Sequence, residues 1–139
     1  MYKYTFLVDP TSDQIRQITS IYRMTGWWAE DIPDDPLHVR RLIAGSHCFV
    51  VAGKEDEIIG MGRAISDKAS DAYIQDLTVV ASHRKKGIGT EILKRLVARL
   101  EDDGIKWIAL IAERNSDDFY TNYGFNIMPD SKPMLKILT

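Results

Sequence analysis

Cysteine is nearly missing from this sequence: Cys48 is the single one in 139 residues. An internal disulfide is therefore excluded, and a reducing compartment is the natural setting. A dominant charge is lacking too, since 18 Lys and Arg face 20 Asp and Glu for a formal net charge of -2. That balance supplies no basic field to hold nucleic acid or an anionic membrane. No apolar run approaches the ~20 residues that span a bilayer. The opening MYKYTFLVDP alternates polar with apolar residues and lacks the apolar stretch of a secretion signal. The three histidines, His38, His47 and His83, show no metal-ligand spacing and read as structural or solvated. Repeats, low-complexity tracts and Gly/Ser linkers are absent. The expectation is one cytoplasmic domain over residues 1–139, long enough to bury a core.

What is present begins with periodicity. Tyr2 to Val8 reads as a strand. Thr11 and, three residues on, Gln14 have the spacing of a capping box, and Ile15, Ile18 and Tyr22 recur at helical intervals up to Gly26. A second helix follows, with Asp35 as cap, Pro36 in the first turn and Gly45 at the end. HCFVVAG and EIIGMGRAIS, joined by KEDE, predict an antiparallel hairpin, and AYIQDLTVV a third consecutive strand. Cys48, inside the first of these apolar runs, reads as a small buried core residue.

Ile88, Ile92, Leu93, Leu96, Val97 and Leu100 then form one apolar helix face, and IKWIALIA (Ile105 to Ala112) predicts an inner strand covered on both faces. NSDDFYTNYGF reads as a short helix closed by Gly124. Phe125 to Met128 and Met134 to Leu138 read as final strands. The predicted order is β-α-α-β-β-β-α-β-α-β-β, a mixed α/β fold with a central mixed sheet of six to seven strands and about four helices.

The stretch HRKKGIGTEILKRL (His83 to Leu96) places three cations ahead of two glycines and a helix. A nucleotide P-loop needs Lys-Ser/Thr after its last glycine, but Thr90-Glu91 follows Gly89. A dinucleotide fingerprint needs a third glycine where Ile92 stands. A third template, Arg/Gln-x-x-Gly-x-Gly/Ala between a strand and a long helix, fits Arg84-Lys85-Lys86-Gly87-Ile88-Gly89. Downstream, Asn115 and Phe119-Tyr120-x-x-x-Gly124-Phe125 form a second motif. On these two motifs and the element order, the chain resembles the GNAT superfamily of acetyl-CoA-dependent N-acetyltransferases.

The resemblance implies a mixed sheet and acetyl-CoA (coenzyme A) as acyl donor. Glycines at a helix start let backbone N–H groups close on a pyrophosphate, where the helix dipole adds roughly half a positive charge. Arg84, Lys85 and Lys86 are the candidate phosphate cations, and Gly87, Ile88, Gly89 and Thr90 the candidate amide and hydroxyl donors. Carried over from the family, Leu77, Thr78 and Val79, on to Val80, supply backbone contacts to the donor. Leu77 or Val79 is the candidate for the oxyanion contact. Asn115 and Phe119 join the donor site, and Tyr120 protonates the departing thiolate. Tyrosine (pKa near ~10) gives its proton to a thiolate (near ~8.5) only slightly uphill.

A lysine-like amine (pKa near ~10.4) is protonated at neutral pH, so a base or a water chain must remove its proton. Family members often carry Glu or His where Tyr73 and Gln75 stand here. Asp76, next to Gln75, faces the opposite side of a regular strand. Either a bulge turns Asp76 inward or ordered water relays the proton. Trp27, Trp28 and Tyr73 are the candidate acceptor-binding residues, beside the acids Glu30, Asp31, Asp34 and Asp35. The expected partner is a small-molecule amine, with a protein lysine or N-terminus as the next reading and a low-turnover acyl-CoA sensor as the third. The resemblance also implies pairing as a homodimer.

Overall fold

The computed structural model describes residues 1–138. The described chain forms two compact units, Met1–Ala109 and the residues from Leu110 onward, taken one at a time below.

The first unit opens with β1 (Lys3–Phe6) and α1 (Ser12–Met24). Thr11 caps α1 in the predicted capping box: its hydroxyl accepts from the Gln14 N–H, and the Gln14 amide oxygen accepts from the Thr11 N–H. The helix ends at Thr25, and Gly26, at φ 80°, turns the chain away. Asp35 caps α2 (Pro36–Gly45) through the Leu37 N–H, with Pro36 in the first turn as predicted. Next come β2 (Cys48–Lys54), β3 (Glu57–Ser66) and β4 (Asp71–Val79), a 3-10 turn at Ala81–His83, α3 (Ile88–Asp102) and β5 (Trp107–Leu110).

The sheet order is β1-β2-β3-β4-β5, and the first four strands pair antiparallel in sequence. Helices α1 and α2 pack on one face, around Ile15, Ile18, Tyr22, Val39, Ile43, Phe49 and Met61. On the other face, α3 buries Ile88, Ile92, Leu93, Leu96 and Leu100. Two glycines of β3 let that helix approach. A Cβ on Gly62 would lie 2.9 Å from Ile92 Cγ2, and one on Gly60 would lie 3.1 Å from Ile92 Cδ1. Two of the basic residues on α3 cross the edge of its apolar face, Arg95 over the Tyr4 ring and Arg99 over the Phe6 ring. Cys48 is buried, as expected of a core thiol. His47 contacts Ser66 and Asp103, and His83 contacts the Tyr2 hydroxyl.

The second unit holds α4 (Asp117–Thr121), entered through Arg114 and Asn115 at φ 53° and 61° and left through Gly124 at φ 90°.

Two expectations are corrected. The sheet has five strands among the described residues, not six to seven: neither Phe125 to Met128 nor Met134 to Leu138 is a strand. The apolar residues there, Ile127, Met134, Leu135, Ile137 and Leu138, are exposed, and a strand needs a bonded neighbour as well as apolar residues. Nor is IKWIALIA an inner strand. Only Trp107–Leu110 is extended, and β5 is the last strand of the sheet, with Trp107 48% exposed.

Candidate active site

The glycine loop follows directly from β4. After the 3-10 turn, Lys85 and Gly87 adopt left-handed φ values of 63° and 79°, and Gly87 is the residue that caps α3. Having no side chain, Gly87 leaves the helix start without a side-chain cap, so the first-turn amides keep their capacity to bind an anion. A Cβ on Gly87 would meet no atom within 4 Å, so this side of the loop is open. Lys85 and Lys86 are exposed beside it. Arg84 is partly committed, its Nε donating to the Val79 carbonyl at 3.0 Å. Gly89 and Thr90 are half-buried in the first turn, whereas the Ile88 side chain is buried in the core and leaves only its backbone for a ligand.

One strand earlier, β3 and β4 lose register. Met61 pairs with Thr78 and Arg63 with Gln75, so Asp76 and Leu77 together oppose Gly62. This is a bulge, two residues against one, and Asp76 carries its φ of 60°. Aspartate is among the few non-glycine residues that tolerate such a φ. The extra residue brings Asp76 to the side where Gln75 already points, which answers the question left by the strand's alternation.

Asp76 arrives there engaged. Its Oδ2 accepts from Arg63 Nε at 2.6 Å and from the Tyr22 hydroxyl at 2.7 Å. The Arg63 and Asp76 side chains are only 15% and 18% exposed. Arg63 also donates to Gln75 Oε1 at 3.3 Å, so both polar candidates on β4 share one guanidinium. Breaking a shielded pair by removing one partner costs about 3–5 kcal/mol, so Arg63 and Asp76 hold each other in place. Burial, and then the Asp76 charge, push the Tyr22 phenol well above its ordinary range, which keeps it a hydrogen-bond donor.

Tyr22 extends this cluster into aromatics. Its ring stacks on Trp28 with centroids 4.3 Å apart and planes within 2°, and Trp28 in turn meets the His38 ring at 4.9 Å. Trp27 and Trp28 both pack against the core, and Trp27 lies tilted 6.0 Å from Tyr22. Tyr73, half-buried on β4, pairs with Ile65. Of the nearby acids, Asp34 is paired with Arg23 and Asp35 caps α2, which leaves Glu30 and Asp31 as the exposed acids without those duties.

In the second unit, Phe119, Tyr120 and Phe125 form an edge-to-face aromatic set. Burial, and then the charge of Glu113, raise the Tyr120 phenol above its usual range. Asn115 holds a backbone conformation that asparagine tolerates better than most residues.

Sequence reasoning named Asp76 and Gln75 but missed Arg63. The signal was present: Arg63 is the one basic residue inside EIIGMGRAIS, and Asp76 is the one acid inside AYIQDLTVV. A charge within a packed strand requires such a counter-charge. Tyr22 was read only as part of an apolar helix face. Among the described residues, no cluster of His, Cys, Asp or Glu could hold a metal ion, and no helix is long and apolar enough to cross a membrane.

The domain is thus of mixed α/β type, with an uncapped helix start behind a left-handed glycine, an arrangement able to take an anion. The chain belongs to the acetyltransferase (GNAT) domain family, whose match runs over residues 10–134. It is 38% identical over 77 residues to GCN5-related N-acetyltransferase 2, chloroplastic, of Arabidopsis thaliana, covering 55% of this chain and 30% of that one. It is 33% identical over 94 residues to histone acetyltransferase TAP1 of Glycine max, covering 68% of this chain and 39% of that one. The chain thus spans about a third of the length of these curated relatives. Its fold matches that of a GNAT-family acetyltransferase from Streptococcus pneumoniae with a TM-score of 0.80, at 22% identity, over 99% of this chain and 98% of that one. Members of this family use acetyl-CoA as co-substrate. The open side of Gly87, the uncapped amides and the two exposed lysines fit its phosphates.

Proposed function

We propose that this domain transfers an acetyl group from acetyl-CoA to the primary amine of a small molecule, by direct attack in a ternary complex. The observation that carries the reading is the start of α3: left-handed Gly87, no side-chain cap and exposed Lys85 and Lys86. The first-turn amides and these lysines hold the phosphates, and a backbone N–H of β4 beyond the bulge takes the charge that develops on the carbonyl. The donor supplies a thioester. As the C–N bond forms and the C–S bond breaks, the thiolate takes a proton, for which Tyr120 is the proposed source, and water carries the amine proton away.

The exposed ring surface of the half-buried Trp27 and Trp28, with Glu30 and Asp31, suits a cationic or aromatic amine. A homodimer, a cytoplasmic setting and one domain over residues 1–139 belong to the same proposal. The family match, which runs through both compact units, supports the last of these.

A protein lysine or N-terminus is the second reading, favoured by the histone named in one relative. Preference for peptides over free amines would select it. A low-turnover acyl-CoA sensor is the third; it predicts donor binding without product.

The test of the whole reading is a thermal-shift comparison of acetyl-CoA, coenzyme A, NAD and ATP, followed by an amine screen. Ligand at 100 times its dissociation constant adds about 2.7 kcal/mol, a shift on the order of ten degrees for a chain of this size. Stabilisation by the coenzyme A compounds alone is expected. A chain that ignores them would lose the anion-site reading and the transferase with it.

A further inference from the structure

The bulge in β4 is held by side chains, and those side chains reach the aromatic region between α1 and α2. Asp76 stands at the bulge with φ 60°, and its Oδ2 is the shared acceptor of Arg63 on the neighbouring strand and Tyr22 on α1. Arg63 also reaches Gln75. Behind the hydroxyl that binds Asp76, the Tyr22 ring lies flat on Trp28. One carboxylate therefore joins three elements: the strand whose backbone is to meet the thioester, the strand beside it, and the helix that carries the aromatic stack.

We propose that Asp76 is a positioning residue for acyl transfer and not its general base. The Arg63–Asp76–Tyr22 clamp fixes the bulge, and so the aim of the β4 backbone N–H at the carbonyl. Through Tyr22 and Trp28 the same clamp sets where the acceptor amine rests against that strand. This rests on the transferase reading above and deepens it.

The chemistry favours this role over that of a base. A base must take a proton from the amine, whereas Asp76 Oδ2 already accepts from two donors and is committed to the clamp. The same carboxylate is the ion-pair partner of a shielded guanidinium, a contact that holds it in place. Tyr22, held protonated, offers no alternative base. Positioning leaves these contacts intact, and small displacements of a reacting geometry are expensive in rate.

The experiment is steady-state kinetics of wild type, Asp76→Asn and Tyr22→Phe with acetyl-CoA and the best amine, over a pH series, beside thermal melts. Asparagine keeps the shape of the side chain and loses the charge that binds Arg63. The clamp predicts that kcat falls about ten- to hundredfold in Asp76→Asn and by a smaller factor in Tyr22→Phe. KM for acetyl-CoA stays near the wild-type value, and the pH profile keeps its shape in both variants. A purely structural role would lower melting temperature and leave kcat of the folded fraction intact; that result overturns the proposal. So does loss of the acidic limb of the pH profile in Asp76→Asn alone, which would make Asp76 the base. If Asp76→Asn is too unstable to assay, Tyr22→Phe carries the test, since it keeps the ion pair; unchanged kcat and KM for the amine would sink the clamp. A wild type that binds coenzyme A and acetylates no amine overturns the transferase reading itself, and is recognised before any variant is compared.

Discussion

The Tyr22 hydroxyl donates to the Asp76 carboxylate at 2.7 Å, and the same oxygen takes the Arg63 guanidinium at 2.6 Å. One acceptor atom thus serves two donors that come from different elements, 54 and 13 positions away in sequence. The bulge makes this possible by turning two successive residues, Gln75 and Asp76, to the same side of the sheet.

Replacing Arg63 should expose how much the pair matters to the fold. Arg63→Ala leaves Asp76 shielded without its cation, at a cost of about 3 kcal/mol. Urea unfolding checks it. A loss below about 0.5 kcal/mol would place the pair among surface bridges of little worth.

Gly62 answers to a different constraint, the approach of α3. An alanine Cβ there would press on Ile92 at 2.9 Å and on Leu77 at 3.1 Å. Overpacking of this kind costs about 1–3 kcal/mol, and Gly62→Ala should lower the melting temperature by several degrees. An unchanged melting temperature would mean that α3 can shift without penalty.

At Gly87 the surroundings are open and the backbone is the constraint. Gly87→Ala meets no neighbour but must hold φ 79°, costing about 1–2 kcal/mol. The added methyl also stands where the phosphates are proposed to lie, so coenzyme A affinity in calorimetry should fall by more than stability does. Wild-type affinity in this variant would remove Gly87 from the donor site.

Cys48 supplies a pH dependence. Burial pushes its thiol up to about 11. The folded chain therefore holds this proton more tightly than the unfolded chain. The resulting stability is fully present below the unfolded thiol's range and is lost as pH rises through about 11. Burial raises Tyr22 in the same direction, so denaturant midpoints should fall on the alkaline side. A thiol reagent at pH 8 should label Cys48 only after unfolding. Rapid labelling of the native protein would contradict the buried thiol.

Tyr120→Phe separates proton donation from packing. The ring keeps its edge-to-face contacts with Phe119 and Phe125 while the hydroxyl is lost. On the proposed mechanism kcat falls about 10²-fold, the usual scale for a positioned acid, with stability little changed. Full turnover in this variant would end the assignment of Tyr120 as proton donor.

The sequence by itself determined whatever depends on near neighbours. The capping box at Thr11 and Gln14, the Asp35-Pro36 helix start, the β2–β3 hairpin and the apolar face of α3 are local patterns, and each formed where predicted. The glycine loop was legible for the same reason, since its function rests on backbone freedom and on the helix it begins. Tertiary structure decided the rest. Phe125 to Met128 and Met134 to Leu138 are short apolar runs as strands often are, but a strand exists only with a bonded neighbour, and that is not written in its own residues. Asp76 shows the same limit at the site. Its type and position were plain in the sequence, but its face depends on a register slip against Gly62, and its freedom to act as a base depends on Arg63 and Tyr22. Pairing across distant segments fixes both, because hydrogen bonds and charge act over ångströms in space and take no account of separation along the chain.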